Sequence, residues 1–320
     1  MPRFKAACKL TGVDELALTD DDFADSFGLP RARWDRIAPR VFAAETLEHR
    51  HALWCAAQRE WLRRLRGALP AAYQVLESEH FMVLAAARGD ATHLTDYAEQ
   101  ARAQVMALLG ERPETVGKVA VLIFAAEGDY YRYLHHFRPG GSGGIPSAGA
   151  WVNDGDRHAA INGVAGFKLT LLHELVHSHL SAPPRPRWLE EGLAEHLVRK
   201  LVTRQRAARG AIARQELRAF WSRRTLDAFW SGDAFRDKAA VHQAYALADL
   251  LVFELAGLSE ADLHRFAVEA RREDAGATAS KAVYGVGLEV WARNVLGEGD
   301  WAPKPAPPAG DDAAAGRAPE

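Results

Sequence analysis

Two histidines and a glutamate, set into an apolar run, constrain this chain more than any other feature. His173-Glu174-Leu175-Val176-His177 reads H-E-x-x-H and is surrounded by Phe167, Leu169, Leu171, Leu172, Leu175, Val176 and Leu180. Apolar residues at that density and spacing make a mostly buried helix. On such a helix two imidazoles four residues apart share one face and can grip one metal ion. Polar groups turned into an apolar core are costly unless a partner compensates them, and a metal is the natural partner. Glu174 then points beside the metal, where it can take a proton from water. The bland alternative is a pair of half-exposed histidines with Glu174 in solvent.

A second segment begins eleven positions after His177, Trp188-Leu189-Glu190-Glu191-Gly192-Leu193-Ala194-Glu195. Pro183-Pro184-Arg185-Pro186 ends the motif helix, because proline lacks the N–H and clashes with the preceding turn. A new helix is expected from about Trp188 to Arg206. Glu191 and Glu195, at i and i+4, face the same way. One carboxylate can complete a His, His, Glu ligand set and leave a fourth position for water. The other can accept the outer N–H of a liganding histidine and orient its ring. We take Glu191 as the ligand. Glu190 points roughly a hundred degrees away and is expected on a solvated face.

H-E-L-V-H followed by P-R-W-L-E-E-G-L-A-E resembles the gluzincin metallopeptidases, the thermolysin-like and aminopeptidase-like zinc enzymes. It is especially similar to short bacterial gluzincin domains, in which a proline-bearing loop joins the motif to W-L-x-E-G-x-A. The resemblance is strongest over about residues 165–196 and extends more weakly from about 75 to 298. It implies Zn2+ held by His173, His177 and Glu191, with Glu195 behind them and Glu174 as catalytic base. It also implies an oxyanion donor downstream of the glutamate helix. Tyr245, in Val241-His242-Gln243-Ala244-Tyr245, is similar in placement, with His242 as the alternative and an ordinary core aromatic as the plain reading of Tyr245. Metzincins need a third histidine six residues after His177, and position 183 is proline. No G-x-M-E-N exopeptidase signature occurs, so an aminopeptidase is not implied. His179 is an unused neighbour.

The rest of the chain bounds this reading. At 320 residues with 48% hydrophobic residues it can hold one large domain or two modest ones, with a sizeable core. A net charge of −2 gives no global pull toward nucleic acid. Cys8 and Cys55 cannot make a disulfide framework and read as free thiols. No apolar run suits a signal peptide or a membrane span, so a soluble, cytoplasmic protein is expected, with no membrane partner.

The expected class is α+β, a zincin-like (thermolysin-type) domain with a small mixed sheet and an active-site helix. Expected boundaries are a helical N-terminal segment at 1–72, the catalytic domain at 73–198, a helical subdomain at 199–300 and a disordered tail at 301–320. Residues 1–38 read as polar and mixed. A helix is expected at 41–66, with Leu47, Trp54, Trp61 and Leu65 as its apolar stripe and Arg59, Arg63, Arg64 and Arg66 as a solvated basic face. Strands are expected at 80–86 and at 119–124, the latter central because its apolar run is continuous. A helix at 94–109 lies between them. Ala150–Asn153 and His158–Ile161 flank Asp154-Gly155, a hairpin signal. By the resemblance, the third or fourth of these strands can pair with an extended peptide. The glycine-rich stretch Pro139–Pro146 reads as a loop. The arginine-rich stretch 199–224, with Phe220, Trp221 and Trp230 nearby, reads as a helical face rather than an RNA surface. Helices are expected at 238–257, 259–273 and 279–296.

Together these readings point to a zinc metallopeptidase acting on a peptide or protein, with no nucleic-acid partner. The alternatives are a non-catalytic zinc-stabilised interaction module and a non-peptide hydrolase on the same scaffold.

Overall fold

Val119–Phe124 carries no polar side chain, and a strand with two apolar faces belongs inside a sheet. The computed structural model describes residues 16–70, 72–86, 91–110, 116–138, 146–163, 166–180, 184–202 and 214–304. In it this strand is the middle one of five. The sheet consists of β3 (Tyr73–Glu77), β4 (Phe81–Ala86), β5 (Val119–Phe124), β6 (Gly149–Asp154) and β7 (Asp156–Asn162), in the order β3-β4-β5-β7-β6. β3 and β4 are antiparallel, whereas β4, β5 and β7 run parallel, with Leu84, Leu122 and Ala160 in register. Of the two strands expected to be able to take an extended peptide, β6 is at the edge and β7 is internal. A separate antiparallel pair, β1 (Phe23–Ser26) and β2 (Leu29–Ala32), comes first.

The helices are α1 (Trp34–Phe42), α2 (Leu47–Ala68), α3 (Thr92–Leu109), α4 (Glu127–His135), α5 (Phe167–Leu180) and α6 (Arg187–Val202). They continue with α7 (214–220), α8 (Arg223–Ser231), α9 (Val241–Leu258), α10 (Glu260–Glu269), α11 (Ala277–Tyr284) and α12 (Leu288–Leu296). The chain is thus α+β with a small mixed sheet. The described residues fall into two compact units, one within 1–99, 113–139 and 152–167, the other within 100–112, 140–151 and 168–320. These divisions do not follow boundaries at 72, 198 and 300.

In the first unit, aromatic residues of α1 and α2 form the core beside β7. Trp34 stacks on Trp54 at 5.1 Å and meets Trp61 edge-on at 5.8 Å. Trp54, Trp61 and Leu65 are buried as the apolar stripe requires, but Leu47 is 51% exposed. Leu47 opens the helix next to its N-cap Thr46, whose hydroxyl accepts from His49 N, so it lies beyond the buried part of the stripe. Residues 23–42 hold two strands and a helix that the mixed polar composition concealed, and β3 and α4 were likewise unmarked. The basic cluster on α2 is matched by acids of its own unit: Arg59 pairs with Glu77, Arg63 with Glu60, and Arg64 with Glu60 and Asp20.

The second unit is helical. Trp221 and Trp230 are core residues, and Trp188, Phe229 and Trp230 pack together with ring centroids 5.0–6.3 Å apart. The aromatics near the arginine-rich stretch therefore serve packing; residues 203–213 of that stretch lie outside the described residues. The single helix expected at 279–296 is two, α11 and α12, because the chain leaves the helix at Gly285. The expected tail also starts too early: Trp301 is 8% exposed, and its carbonyl accepts from Trp230 Nε1 at 3.0 Å. Residues 305–320 of that tail, and 139–145 of the glycine-rich stretch, are outside the described residues. Helix α9 is long and apolar enough to cross a membrane by length and composition, yet half of that span is buried within the fold. It carries the buried Asp249, paired with Arg199 at 2.9 Å, which marks a core helix.

One buried polar group in the first unit has a measurable consequence. Asp156 is 3% exposed, and its Oδ1 accepts from Trp54 Nε1 and Gln58 Nε2, each at 2.9 Å. Among the described residues its Oδ2 has no hydrogen-bond partner. Burial pushes the carboxyl up to about 7, against the pull of those two donors. The folded state therefore binds a proton that the unfolded chain gives up near pH 3.8. Stability contributed by the protonated form is complete below the unfolded value and is lost as pH rises from there to about 7. We predict that Asp156→Asn, which keeps an acceptor for both donors, flattens this decline. Urea midpoints at pH 5 and pH 7.5 for both proteins check it, and an identical pH dependence in the variant rules it out.

Candidate metal centre

The motif residues lie where the apolar periodicity requires, in the middle of α5. Leu171, Leu172, Leu175, Val176 and Leu180 are buried, while Leu169 is 40% exposed. The end of this helix is held from the side. Arg185 Nη1 donates to the Leu180 carbonyl at 2.9 Å, and its Nε donates to the Ala267 carbonyl of α10. A cation at a helix C-terminus meets unpaired carbonyls and the negative end of the dipole.

Helix α6 is positioned by the residues that flank its glutamates. Trp188 is completely buried and donates from Nε1 to the Ala275 carbonyl at 2.9 Å. Gly192 faces α9 so closely that a Cβ there would stand 2.6 Å from the Ala248 carbonyl oxygen and 2.7 Å from Val252 Cγ2. Only glycine permits that approach. Tyr245 is one turn before Ala248 on α9, and Glu191 is next to Gly192 on α6. The close contact of the two helices thus brings the phenol and the carboxylate to the same place.

His173, His177 and Glu191 form one group whose ligand atoms all lie within 4.8 Å of one another. Glu191 Oε2 is 3.2 Å from His173 Nε2 and 3.4 Å from His177 Nε2, and the two Nε2 atoms are 3.1 Å apart. His173 Nδ1 faces Glu195 Oε1 at 3.4 Å. Glu174 is buried at 6% exposure on the same helix. Tyr245 has its ring centroid 6.4 Å from that of His173 and packs edge-on against Phe235. His242, the alternative donor, is exposed. Glu190 departs from expectation: its side chain is only 12% exposed. Burial raises its carboxyl above the usual range, against the pull of His177 and Arg187. The helical phase does turn Glu190 away from Glu191, but toward protein and not toward solvent.

The electrostatics centre on Glu191, whose side chain is 0% exposed. Burial alone would push its carboxyl up. The fields of His177 and Arg187 and the contact with His173 outweigh burial and hold it well below the usual carboxylate range. The His173 imidazole is raised for the reciprocal reason, Glu191 and Glu195 prevailing over burial. The Tyr245 phenol is raised by burial first and then by the charge of Glu191. Arg187 pairs with Glu191 Oε1, a contact at i,i+4 that the sequence pattern did not single out. An arginine one turn before an expected ligand was the available signal.

The group of His173, His177 and Glu191 could hold a metal ion. Oε1 of Glu191 is in contact with Arg187, and among the described residues the buried Oε2 has no hydrogen-bond partner of normal geometry. Buried polar atoms in that condition are rare and costly. Two imidazole nitrogens and one carboxylate oxygen converging on one point are the donor set that zinc prefers. Comparison with known protein families finds no match, and neither does comparison with curated proteins.

The centre is also packed tightly from one side. A Cβ on Gly149 would lie 2.4 Å from Thr170 Cγ2 and 2.9 Å from Glu174 Oε1. Overpacking of this kind typically costs about 1–3 kcal/mol. We expect Gly149→Ala to lose stability in that range, with Gly128→Ala, which meets nothing within 4 Å, as the steric control. Adding Thr170→Ser removes the obstructing methyl and should recover part of the loss. Denaturant titration of the four proteins measures this, and a Gly149→Ala chain as stable as wild type contradicts it.

Proposed function

We propose that this chain is a zinc-dependent metallopeptidase with a zincin-like, gluzincin-type catalytic centre. The observation that carries this reading is Oε2 of the fully buried Glu191 carboxylate, which faces the Nε2 atoms of both His173 and His177 while Oε1 is taken by Arg187. His173, His177 and Glu191 would hold the metal. When bound there, zinc would supply a Lewis acid and a water of lowered pKa.

The remaining work falls to side chains. Glu174 takes a proton from the attacking water and returns it to the leaving amine. Its position directly after the first ligand favours that role, and its burial keeps competing water away. Glu195 faces the outer nitrogen of His173, which holds the ring with Nε2 on the side of Glu191. Tyr245 remains protonated at neutral pH, so its hydroxyl is available as a donor to a developing oxyanion. The substrate on this reading is a peptide or protein. A purely structural zinc site usually closes its fourth position with another protein ligand. Among the described residues the ligand group numbers three, which favours catalysis over an interaction module.

Purified protein should carry one zinc per chain by elemental analysis, and His177→Ala should remove it. Glu191→Ala should weaken zinc binding far more than Glu190→Ala. Wild-type protein that stays metal-free after reconstitution defeats the reading, and equal affinities in the two glutamate variants misplace the third ligand.

Glu174→Gln separates chemistry from binding. The amide is nearly isosteric but cannot accept the proton, so fold and zinc content should persist while peptide hydrolysis falls about 10²–10⁴-fold. Turnover is compared at matched zinc occupancy, and undiminished cleavage by the variant excludes Glu174 as the base.

A further inference from the structure

Glu191 has two oxygens in different surroundings. Oε2 faces both imidazole Nε2 atoms, at 3.2 and 3.4 Å, whereas Oε1 contacts Arg187 Nη2. Arg187 is the first residue of α6, and Glu191 follows it by four, so both project from one helical face. Its other terminal nitrogen is 3.9 Å from Glu190 Oε2. The Arg187 side chain is 44% exposed, while that of Glu191 has no exposure at all. The guanidinium therefore reaches in from the solvent side and ends on a carboxylate that water does not touch.

Given the zinc reading above, on which this inference rests, we propose that Arg187 is a positioning residue that reserves one oxygen of Glu191 for the metal. Holding Oε1 by charge, it leaves Oε2 as the single donor from that carboxylate and fixes the carboxylate plane. A carboxylate free to turn about its last torsion offers either oxygen or both. With Oε1 occupied, the described residues supply three donor atoms and no fourth, which preserves the open position that hydrolysis needs. Arginine suits this task because its charge is permanent and its planar fork resists rotation. A second positive charge beside the metal opposes metal binding by simple repulsion. The two effects have opposite signs, so affinity distinguishes them.

The test uses the full chain with zinc or cobalt as the probe. Zinc affinity is measured by competition with a chromophoric chelator for wild type, Arg187→Ala and Arg187→Lys, with circular dichroism to verify the fold. Loss of a group that orients a ligand typically costs about 10–100-fold in metal affinity. We expect Arg187→Ala to lie in that range. Arg187→Lys, which keeps the charge without the fork, should fall between the two. The visible spectrum of the cobalt-loaded protein should change from intense four-coordinate bands in wild type to weaker five-coordinate bands in Arg187→Ala, as Glu191 engages both oxygens. If Arg187→Ala does not fold, the same spectral change and weakening in Arg187→Lys carry the test. Unchanged or tighter binding with an unchanged cobalt spectrum overturns the role of Arg187 while the zinc reading stands. Wild-type protein that binds neither metal overturns the zinc reading instead, so the two failures are distinguishable.

Discussion

A carboxylate with no access to water dominates the helical unit. Glu191 is buried with its charge, and a buried charge is tolerated only when it is paired or coordinated. Its surroundings meet that demand from three helices. Histidines come from α5, Arg187 from its own helix, and the Tyr245 phenol from α9. Arg187 takes Oε1, while among the described residues Oε2 has no hydrogen bond of normal geometry. Charge is compensated at Oε1, whereas Oε2 faces the two imidazole nitrogens. That combination suits a metal ligand better than a structural ion pair.

Placing that carboxylate requires helix packing that tolerates little variation. Trp188 fills the aromatic core and is hydrogen-bonded to the Ala275 carbonyl, which fixes the start of α6. Gly192 removes the side chain that would otherwise separate α6 from α9. The residues on either side of Glu191 thus do different physical work, one by volume and one by the absence of volume. On α5, Arg185 secures the helix end and Gly149 leaves room for Glu174. A methyl group added at Gly149 or Gly192 meets atoms well inside van der Waals contact, so ångström-scale shifts at the centre follow from very small changes in sequence.

The first unit solves a comparable problem without charge. Asp156 and His158 alternate along β7 and are both buried, against Trp54 and Gln58 in one case and the Tyr133 hydroxyl in the other. Burial pushes the acid up and holds the imidazole down, to about 3, so both tend toward their neutral forms. The same low-polarity surroundings that neutralise these groups leave Glu191 ionised, because the fields of His177 and Arg187 and the contact with His173 outweigh burial there, whereas burial prevails at Asp156.

The H-E-x-x-H periodicity, the apolar run of β5 and the turn at Asp154-Gly155 are local patterns, and each survives into the structure because a helix face or a strand face is decided by neighbouring residues. The i and i+4 spacing of Glu191 and Glu195 likewise determined by itself that the two carboxylates share a face. Other features depended on packing at long range. Leu47 looked like core but starts its helix beyond the buried stripe, and Trp301 looked like tail but is buried against Trp230. Glu190 looked like solvated surface, yet its side of α6 is covered by protein. The pairing of Arg187 with Oε1 and the approach of Tyr245 depended on how closely α6 meets α9 at Gly192. Sequence spacing determines direction around one helix axis; which directions end in water, protein or a charged partner is decided only when a second helix, distant in the chain, packs against the first.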